Sequence, residues 1–274
     1  MTNENLEANL HKSDEDRYYA ALFAPAARRP HLFALYALNN ELARVAESAR
    51  EPMMIAIRLQ WWREAVEGAR KGALRAHDVA RALAAMFAQA DLPQDLFDTM
   101  IDARELDAAE FEFADMVALE NYCDATSGTL MRLATRVLGA GIHDDLAREA
   151  GIAHALTGIL RAIPFHAVRG KVYLPNDLLA AAGTSRDAIL QTHSGKNLAP
   201  VIARIADAAR ARLAKARPLP KPGRALPAFL PAATASLYLK RLTAPGFDSF
   251  HDAVEVPLFR RQFAMLRANW RGQI

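Results

Sequence analysis

Cysteine, glycine and long apolar runs are all scarce in this chain. The 274 residues include one cysteine, Cys123, so an intrachain disulfide and a multi-cysteine metal site are both excluded. No apolar run reaches the roughly 18 residues that a bilayer-spanning helix needs. Glycine is limited to 13 residues, and runs of alternating Val, Ile and Thr are missing, which argues against extended sheets. The formal net charge of +3 is small and dispersed, so nucleic acid is not an expected partner.

The residues that are abundant favour helices. Hydrophobic residues make up 52% of the chain, and Ala, Leu, Arg and Glu dominate, which are good helix formers. Residues 1–13 are polar and have no apolar segment of the secretory type, so we expect a flexible lead there rather than a signal peptide. The sequence predicts one helical domain over 14–274. A single cysteine fits a reducing compartment, so we expect a cytoplasmic protein.

The most informative stretch runs from Thr157 to Pro175. Apolar side chains recur there and just before it at helical spacing, which predicts a buried helix; these are Ile152, Leu156, Ile159, Leu160 and Ile163. Pro164 and Gly170 mark where that helix weakens and ends. A basic turn with Arg169 and Lys171 follows, and then an extended Tyr-Leu-Pro segment.

This stretch resembles the second signature of the squalene/phytoene synthase family, the head-to-head prenyl synthases. The matching residues are Ile159, Leu160, Arg161, Arg169, Gly170, Tyr173, Leu174 and Pro175. The two aspartates of the signature are replaced by Ala162 and His166.

A second stretch resembles the first signature of the same family. Tyr36 matches the start of this signature. Ala43 and Arg44 replace its paired aspartates, and Glu47 lies at the position of its last acidic residue. A third helix, with Tyr122, Cys123 and Gly128, also resembles the family.

The resemblance implies an all-α fold: a single-domain, isoprenoid-synthase-like helical bundle around a central cavity. It also implies a set of residues at the cavity or its phosphate end: Tyr36, Tyr122, Gly128, Arg169, Lys171 and Tyr173.

The missing aspartates decide the expected chemistry. Ionising an allylic diphosphate requires its charge to be neutralised, which Mg²⁺ does when carboxylates hold it. Two Asp-x-x-x-Asp helices would supply four carboxylates, and here only Glu47 remains of the four. The sequence therefore predicts a disabled clamp with no catalytic residue, no metal and no cofactor. Two alternatives stay open for the basic residues Arg44, Arg161, Arg169 and Lys171: they bind a lipid phosphate without metal, or Arg161 steadies the helices.

The variant second signature resembles a non-catalytic branch of the family, represented by the mitochondrial assembly factor for respiratory complex I. That resemblance implies a non-enzymatic assembly role, with a complex I subunit or assembly intermediate as partner. A prenyl lipid in the cavity and a peripheral contact with the inner membrane are further expectations. The alternative is an active prenyl transferase in which Glu47 and Asp107 bind Mg²⁺. Near the end of the chain, Trp270 and Arg271 indicate either a membrane or partner contact or a core helix.

Overall fold

The part of the chain that the structure describes is built from α-helices, without strands. The computed structural model describes residues 3–48, 51–73, 75–107, 111–141 and 143–274, and within the first range it describes side chains for residues 5–45. The helices are α1 (Asn3–Ser13), α2 (Glu15–Ala21), α3 (Arg29–Ser48), α4 (Pro52–Arg70), α5 (Asp78–Phe87), α6 (Gln94–Glu105), α7 (Met116–Cys123), α8 (Thr129–Val137), α9 (Asp144–Arg161), α10 (Ile163–Val168), α11 (Asn176–Ala181), α12 (Arg186–Thr192), α13 (Ala199–Ala216), α14 (Leu226–Ala233), α15 (Ala235–Leu242) and α16 (Leu258–Arg271). This confirms the predicted all-α fold.

Helix α9 lies at the centre of the bundle. It packs against α7, α8, α10, α13, α14 and α15. Its apolar side chains enter both large hydrophobic clusters: Leu146 and Ala150 belong to one, and Leu156 and Leu160 belong to the other. Because one helix is buried in both clusters, the two halves of the core form a single domain.

The first hydrophobic cluster holds the N-terminal helices. Leu59 and Trp62 of α4 are buried in it, at the spacing that places them on one helix face. Arg63, on the neighbouring face, reaches across to α6, where its guanidinium lies 3.1 Å from the Asp98 carboxylate and 2.6 Å from that of Asp102. Trp62 thus joins α4 to the core, and Arg63 joins it to α6.

Residues 3–13, which the sequence analysis placed in a flexible lead, are helical in the structure. Residues 3–13 form α1, which packs against α2, α3 and α5. Leu6 and Leu10 lie one turn apart and are both buried, Leu10 with only 1% of its surface exposed. Two leucines at this spacing are enough to anchor the helix on one side, although the rest of it is polar.

Two helical stretches of the chain are interrupted. The helix that the sequence predicts around Tyr122, Cys123 and Gly128 contains a π-helical segment, Asp124–Gly128, between α7 and α8. Thr234 separates α14 from α15. Pro231 lies inside α14 and has no N–H to donate. The Thr234 hydroxyl donates to the carbonyl of Pro231 at 2.8 Å.

A buried carboxylate ties the last helix, α16, to the start of the chain. The Asp16 side chain accepts from Arg261 Nη1 at 2.9 Å and from the Tyr238 hydroxyl at 3.1 Å. Glu15 accepts from Arg261 Nη2 at 2.5 Å. Asp14, just before them, begins α2 as its N-cap, with its side chain accepting from the Arg17 N–H at 3.1 Å. Helix α2 therefore holds α16 through paired charges rather than through apolar contacts alone.

Candidate functional site

A cavity of about 250 Å³ opens among α2, α3, the π-helical segment, α9 and α10. Its wall is completed by side chains from the end of α6 and just after it, from α7 and from the segment after α10: Arg104, Asp107, Tyr122, Lys171 and Tyr173. The charged and polar side chains of the described lining are Arg17, Asn39, Arg104, Asp107, Tyr122, Thr126, Ser127, His154, His166, Arg169, Lys171 and Tyr173. Positive side chains outnumber the single carboxylate, so the cavity favours an anion.

Residues from the two altered signature stretches meet in this cavity. Ala43 reaches it from α3, and Ala162 and His166 reach it from the junction of α9 and α10. Ala162 lies between α9 and α10 as the cap residue of both helices, and Pro164 stands in the first turn of α10. This break turns His166 back toward the cavity. The structure thus brings these three positions together with four others that the sequence analysis singled out, Tyr122, Arg169, Lys171 and Tyr173.

The neighbouring positions Arg44 and Arg161 do not line the cavity. Arg44 is exposed and lines a separate recess beside α1 and the start of α5. Arg161 lies 3.7 Å from the Asp16 carboxylate, and its guanidinium stacks 3.7 Å from the centre of the Tyr238 ring. These contacts correspond to the helix-steadying alternative for Arg161. The side chain of Glu47 lies outside the residues whose side chains the structure describes.

The Asp107 carboxylate is enclosed by hydrogen-bond donors. It accepts from the Tyr122 hydroxyl at 2.9 Å, from the Tyr173 hydroxyl at 2.8 Å and from Arg104 Nη1 at 3.2 Å. Lys171 Nζ donates to the Asp107 carbonyl at 2.7 Å. Burial raises the pKa of the Tyr122 phenol well above its ordinary value, so Tyr122 stays a donor. This network fixes one wall of the cavity.

Tyr36 and Gly128, which the sequence also assigned to the cavity, are not among its described lining. Tyr36 is buried in the core under the Arg17 guanidinium. Gly128 packs against Gly151 of α9, because a Cβ on Gly151 would lie 2.6 Å from the Gly128 nitrogen. Gly128 therefore lets the π-helical segment approach α9 and shapes the cavity indirectly. Cys123, beside it, is buried, and burial raises the pKa of its thiol.

Two histidines of the cavity are neutral at pH 7. Burial lowers the pKa of His166 to about 4, and the nearby Arg104 and Arg169 contribute in the same direction. Burial also lowers the pKa of His154, with a further contribution from Arg17. Both rings therefore offer the cavity a neutral donor or acceptor rather than a charge.

These histidines predict a loss of stability on acidification. In the unfolded chain their pKa lies at about 6.5, so between pH 6.5 and 4 the unfolded state binds more protons than the folded state and stability falls as the pH falls. We expect the free energy of unfolding, measured in urea, to fall by roughly 1–2 kcal/mol per histidine between pH 7 and 5. His166→Gln should flatten this dependence, and the exposed His251→Gln should not. If the free energy of unfolding of His166→Gln depended on pH as steeply as that of the wild type, the conclusion that His166 is neutral at pH 7 would be contradicted.

The squalene/phytoene synthase profile matches residues 10–262 of this chain. The chain belongs to the squalene/phytoene synthase family. A dehydrosqualene synthase crystal structure with bound ligand superposes with a TM-score of 0.82 at 17% identity, over 98% of this chain and 95% of that one. That likeness confirms the isoprenoid-synthase fold.

Two kinds of curated relative share the family. The human "NADH dehydrogenase (ubiquinone) complex I, assembly factor 6" is 33% identical over 250 residues, which is 90% of this chain and 75% of the human protein. The presqualene diphosphate synthase of Rhodopseudomonas palustris is 31% identical over 172 residues, 61% of this chain and 60% of that protein. The family resemblance predicted from the two signatures is thereby confirmed.

The described cavity does not fit the Mg²⁺ that the resemblance to prenyl synthases implies. Mg²⁺ needs carboxylate or phosphate oxygens, and Asp107 is the one carboxylate in the described lining. Its oxygens are already occupied by hydrogen bonds from two tyrosines and Arg104. Ala43 and Ala162 carry no ligand atom. Across the described residues, no group of three or more His, Cys, Asp or Glu side chains could hold a metal.

The sequence analysis missed several residues that line the cavity. Asn39 and Gly158 lie one helical turn before Ala43 and Ala162, so extending each signature by four residues would have found them. His154 lies one further turn back along α9. Arg17 and Arg104 had no such signal, because only tertiary packing brings α2 and the end of α6 to the cavity.

Proposed function

We propose that this protein is a non-enzymatic assembly factor for the NADH:quinone oxidoreductase, respiratory complex I. The observation that carries the proposal is the cavity itself, which lies in a fold similar to that of a dehydrosqualene synthase but has Ala43, Ala162 and His166 where the family signatures place aspartates. The similarity to the human complex I assembly factor over 90% of the chain supports the same role. The partner is then a complex I subunit or an assembly intermediate.

The arrangement of charge argues against prenyl transfer. Stabilising a leaving diphosphate is mainly electrostatic, and a metal clamp must place several carboxylates around Mg²⁺. The alternative enzyme would have to recruit Asp107, but removing its carboxylate from the network would leave Arg104 without its buried partner, which is costly. The proposed role requires no Mg²⁺ or other cofactor.

The proposal is tested by deleting the gene and resolving complex I on a native gel. We expect loss of the assembled complex and recovery when the full chain is expressed in trans. In parallel, the purified protein with Mg²⁺ and farnesyl or geranylgeranyl diphosphate should form no C30 or C40 product above a heat-killed control. An active squalene synthase provides the positive control. Normal complex I in the deletion strain, or Mg²⁺-dependent product, would overturn the proposal.

A second candidate function is metal-free binding of a prenyl lipid phosphate. Arg169 favours it: the side chain is exposed at the cavity, stacks 3.5 Å from the centre of the Phe165 ring and has no carboxylate partner among the described residues. Lys171 lies in the same wall. An arginine guanidinium pairs well with phosphate oxygens, so these two side chains can take the place of a metal.

This candidate is tested by titrating farnesyl diphosphate into the protein in EDTA. We expect binding that does not require Mg²⁺ and a loss of affinity of about tenfold in Arg169→Gln, the size of one charged contact. Arg204→Gln, an exposed arginine on α13, is the matched control. Binding that appears only with Mg²⁺, or equal loss in both variants, would reject this candidate.

We also propose that the protein works at the cytoplasmic side of the membrane that holds its partner. Within the described residues, no helix is long and apolar enough to span a bilayer. The contact would therefore be made by an exposed surface of the fold.

A further inference from the structure

Helix α16 has two apolar faces on opposite sides. Ala264, Met265 and Ala268 form the inner face and are buried. Four large apolar side chains form the outer face and are more than half exposed: Phe259, Phe263, Leu266 and Trp270. Their spacing of four, three and four residues aligns them along one side, over about 17 Å of helix. Trp270 is 86% exposed, so the core-helix expectation holds for one face only.

A row of arginines runs beside the outer apolar face. Arg260, Arg267 and Arg271 lie on one flank of α16, exposed and without an ion-pair partner in the described part of the chain. Arg261, by contrast, is turned inward to Glu15 and Asp16. The helix contains no acidic residue. The outer surface of α16 is therefore both apolar and uniformly cationic.

Each side of α16 also borders a concavity. An apolar groove of about 480 Å³ lies between the helix and α2, where Tyr19, Leu22 and Phe23 face Phe259 and Phe263. A recess of about 460 Å³ lies behind the arginine row, and its lining includes three arginines, Arg217, Arg267 and Arg271, among mostly apolar residues. The first has the chemistry of an acyl-chain contact, and the second has the chemistry of a phosphate contact.

We propose that α16 docks the protein on the surface of an anionic lipid bilayer. The four apolar side chains enter the interface between headgroups and acyl chains, and the arginine row pairs with lipid phosphates. Charge complementarity selects this occupant, because an anionic bilayer offers phosphate along the whole row together with apolar depth for the stripe. Tryptophan suits that position because its ring is amphipathic. This proposal rests on the exposed apolar and arginine side chains of α16 and not on the proposed assembly role.

The charge component is tested by sedimenting the full chain with vesicles. We expect partition onto phosphatidylglycerol-containing vesicles, little onto phosphatidylcholine, and weakening as salt is raised. The triple variant Arg260→Gln, Arg267→Gln, Arg271→Gln should bind at least about tenfold more weakly. A matched variant that removes three exposed charges elsewhere, Arg204→Gln, Lys196→Gln and Lys240→Gln, should stay within about twofold.

The apolar component is tested with Phe263→Ser, Trp270→Ser, which should also weaken partition about tenfold. The control is Met53→Ser, Ile57→Ser, because both residues are similarly exposed on α4. Circular dichroism should show both double variants folded, since no buried side chain changes. Binding to neutral vesicles as strong as to anionic ones, equal losses in the controls, or a solution dimer that the α16 variants dissociate in place of vesicle binding would overturn the proposal.

Discussion

Gly151→Ala should destabilise the protein by about 3 kcal/mol or more. A Cβ at this position would lie 2.6 Å from the Gly128 nitrogen and 3.0 Å from the Ser127 carbonyl carbon. Both are backbone atoms, so no side-chain rotation relieves the contact, and α9 must move away from the π-helical segment. The gain in helix propensity, about 1 kcal/mol, offsets only part of that cost. Urea unfolding followed by circular dichroism measures the difference.

Gly158→Ala is the control on the same helix. A Cβ at Gly158 meets no atom within 4 Å, so the substitution should be neutral or stabilise by up to about 1 kcal/mol. Comparing Gly151→Ala with Gly158→Ala distinguishes the effect of close packing from the general effect of replacing a glycine in α9. Equal stabilities for the two variants would mean that the crossing with Gly128 is not tight.

Asp107→Ala should cost about 3–5 kcal/mol, because it removes the partner of a buried cation. Arg104 would keep its contact with the Tyr122 hydroxyl at 2.8 Å but lose its nearest carboxylate. The hydroxyls of Tyr122 and Tyr173 would each lose an acceptor. Thermal unfolding and near-ultraviolet circular dichroism, which reports tyrosine packing, should both change.

Asp102→Ala is the matched control for Asp107→Ala. Asp102 also accepts from an arginine, Arg63, at 2.6 Å, but its side chain is 61% exposed. An exposed pair contributes about 0–1 kcal/mol, so this variant should be close to wild type. A small effect of Asp107→Ala would show that Arg104 is solvated rather than buried. Asp107 would then be free to act as a ligand.

Sequence periodicity predicted the long buried helices well, because their apolar residues recur at helical spacing. The run from Ile152 to Ile163 predicted α9 in this way. Helix α1 was missed, because its burial depends on only Leu6 and Leu10 in an otherwise polar segment. The sequence left two alternatives open for Trp270 and Arg271 on α16, because apolar periodicity does not tell which of two helix faces is covered.

Adjacent residues of the two altered signatures face in different directions. Ala43 and Ala162 line the cavity, whereas the adjacent Arg44 and Arg161 point elsewhere. Successive residues on a helix diverge by about 100°, so a signature read as a block mixes cavity and non-cavity positions. Arg17 reaches the cavity from a distant segment and could not be predicted without the fold.

The geometry of the cavity wall depends on the number of residues in the π-helical segment. An inserted residue in a helix shifts the phase of everything that follows it. Removing one residue between Asp124 and Gly128 would leave a regular helix, but would rotate Tyr122 by about 100° relative to α8. The phenol would then leave Asp107. A single-residue deletion in the π-helical segment would therefore dismantle this wall of the cavity.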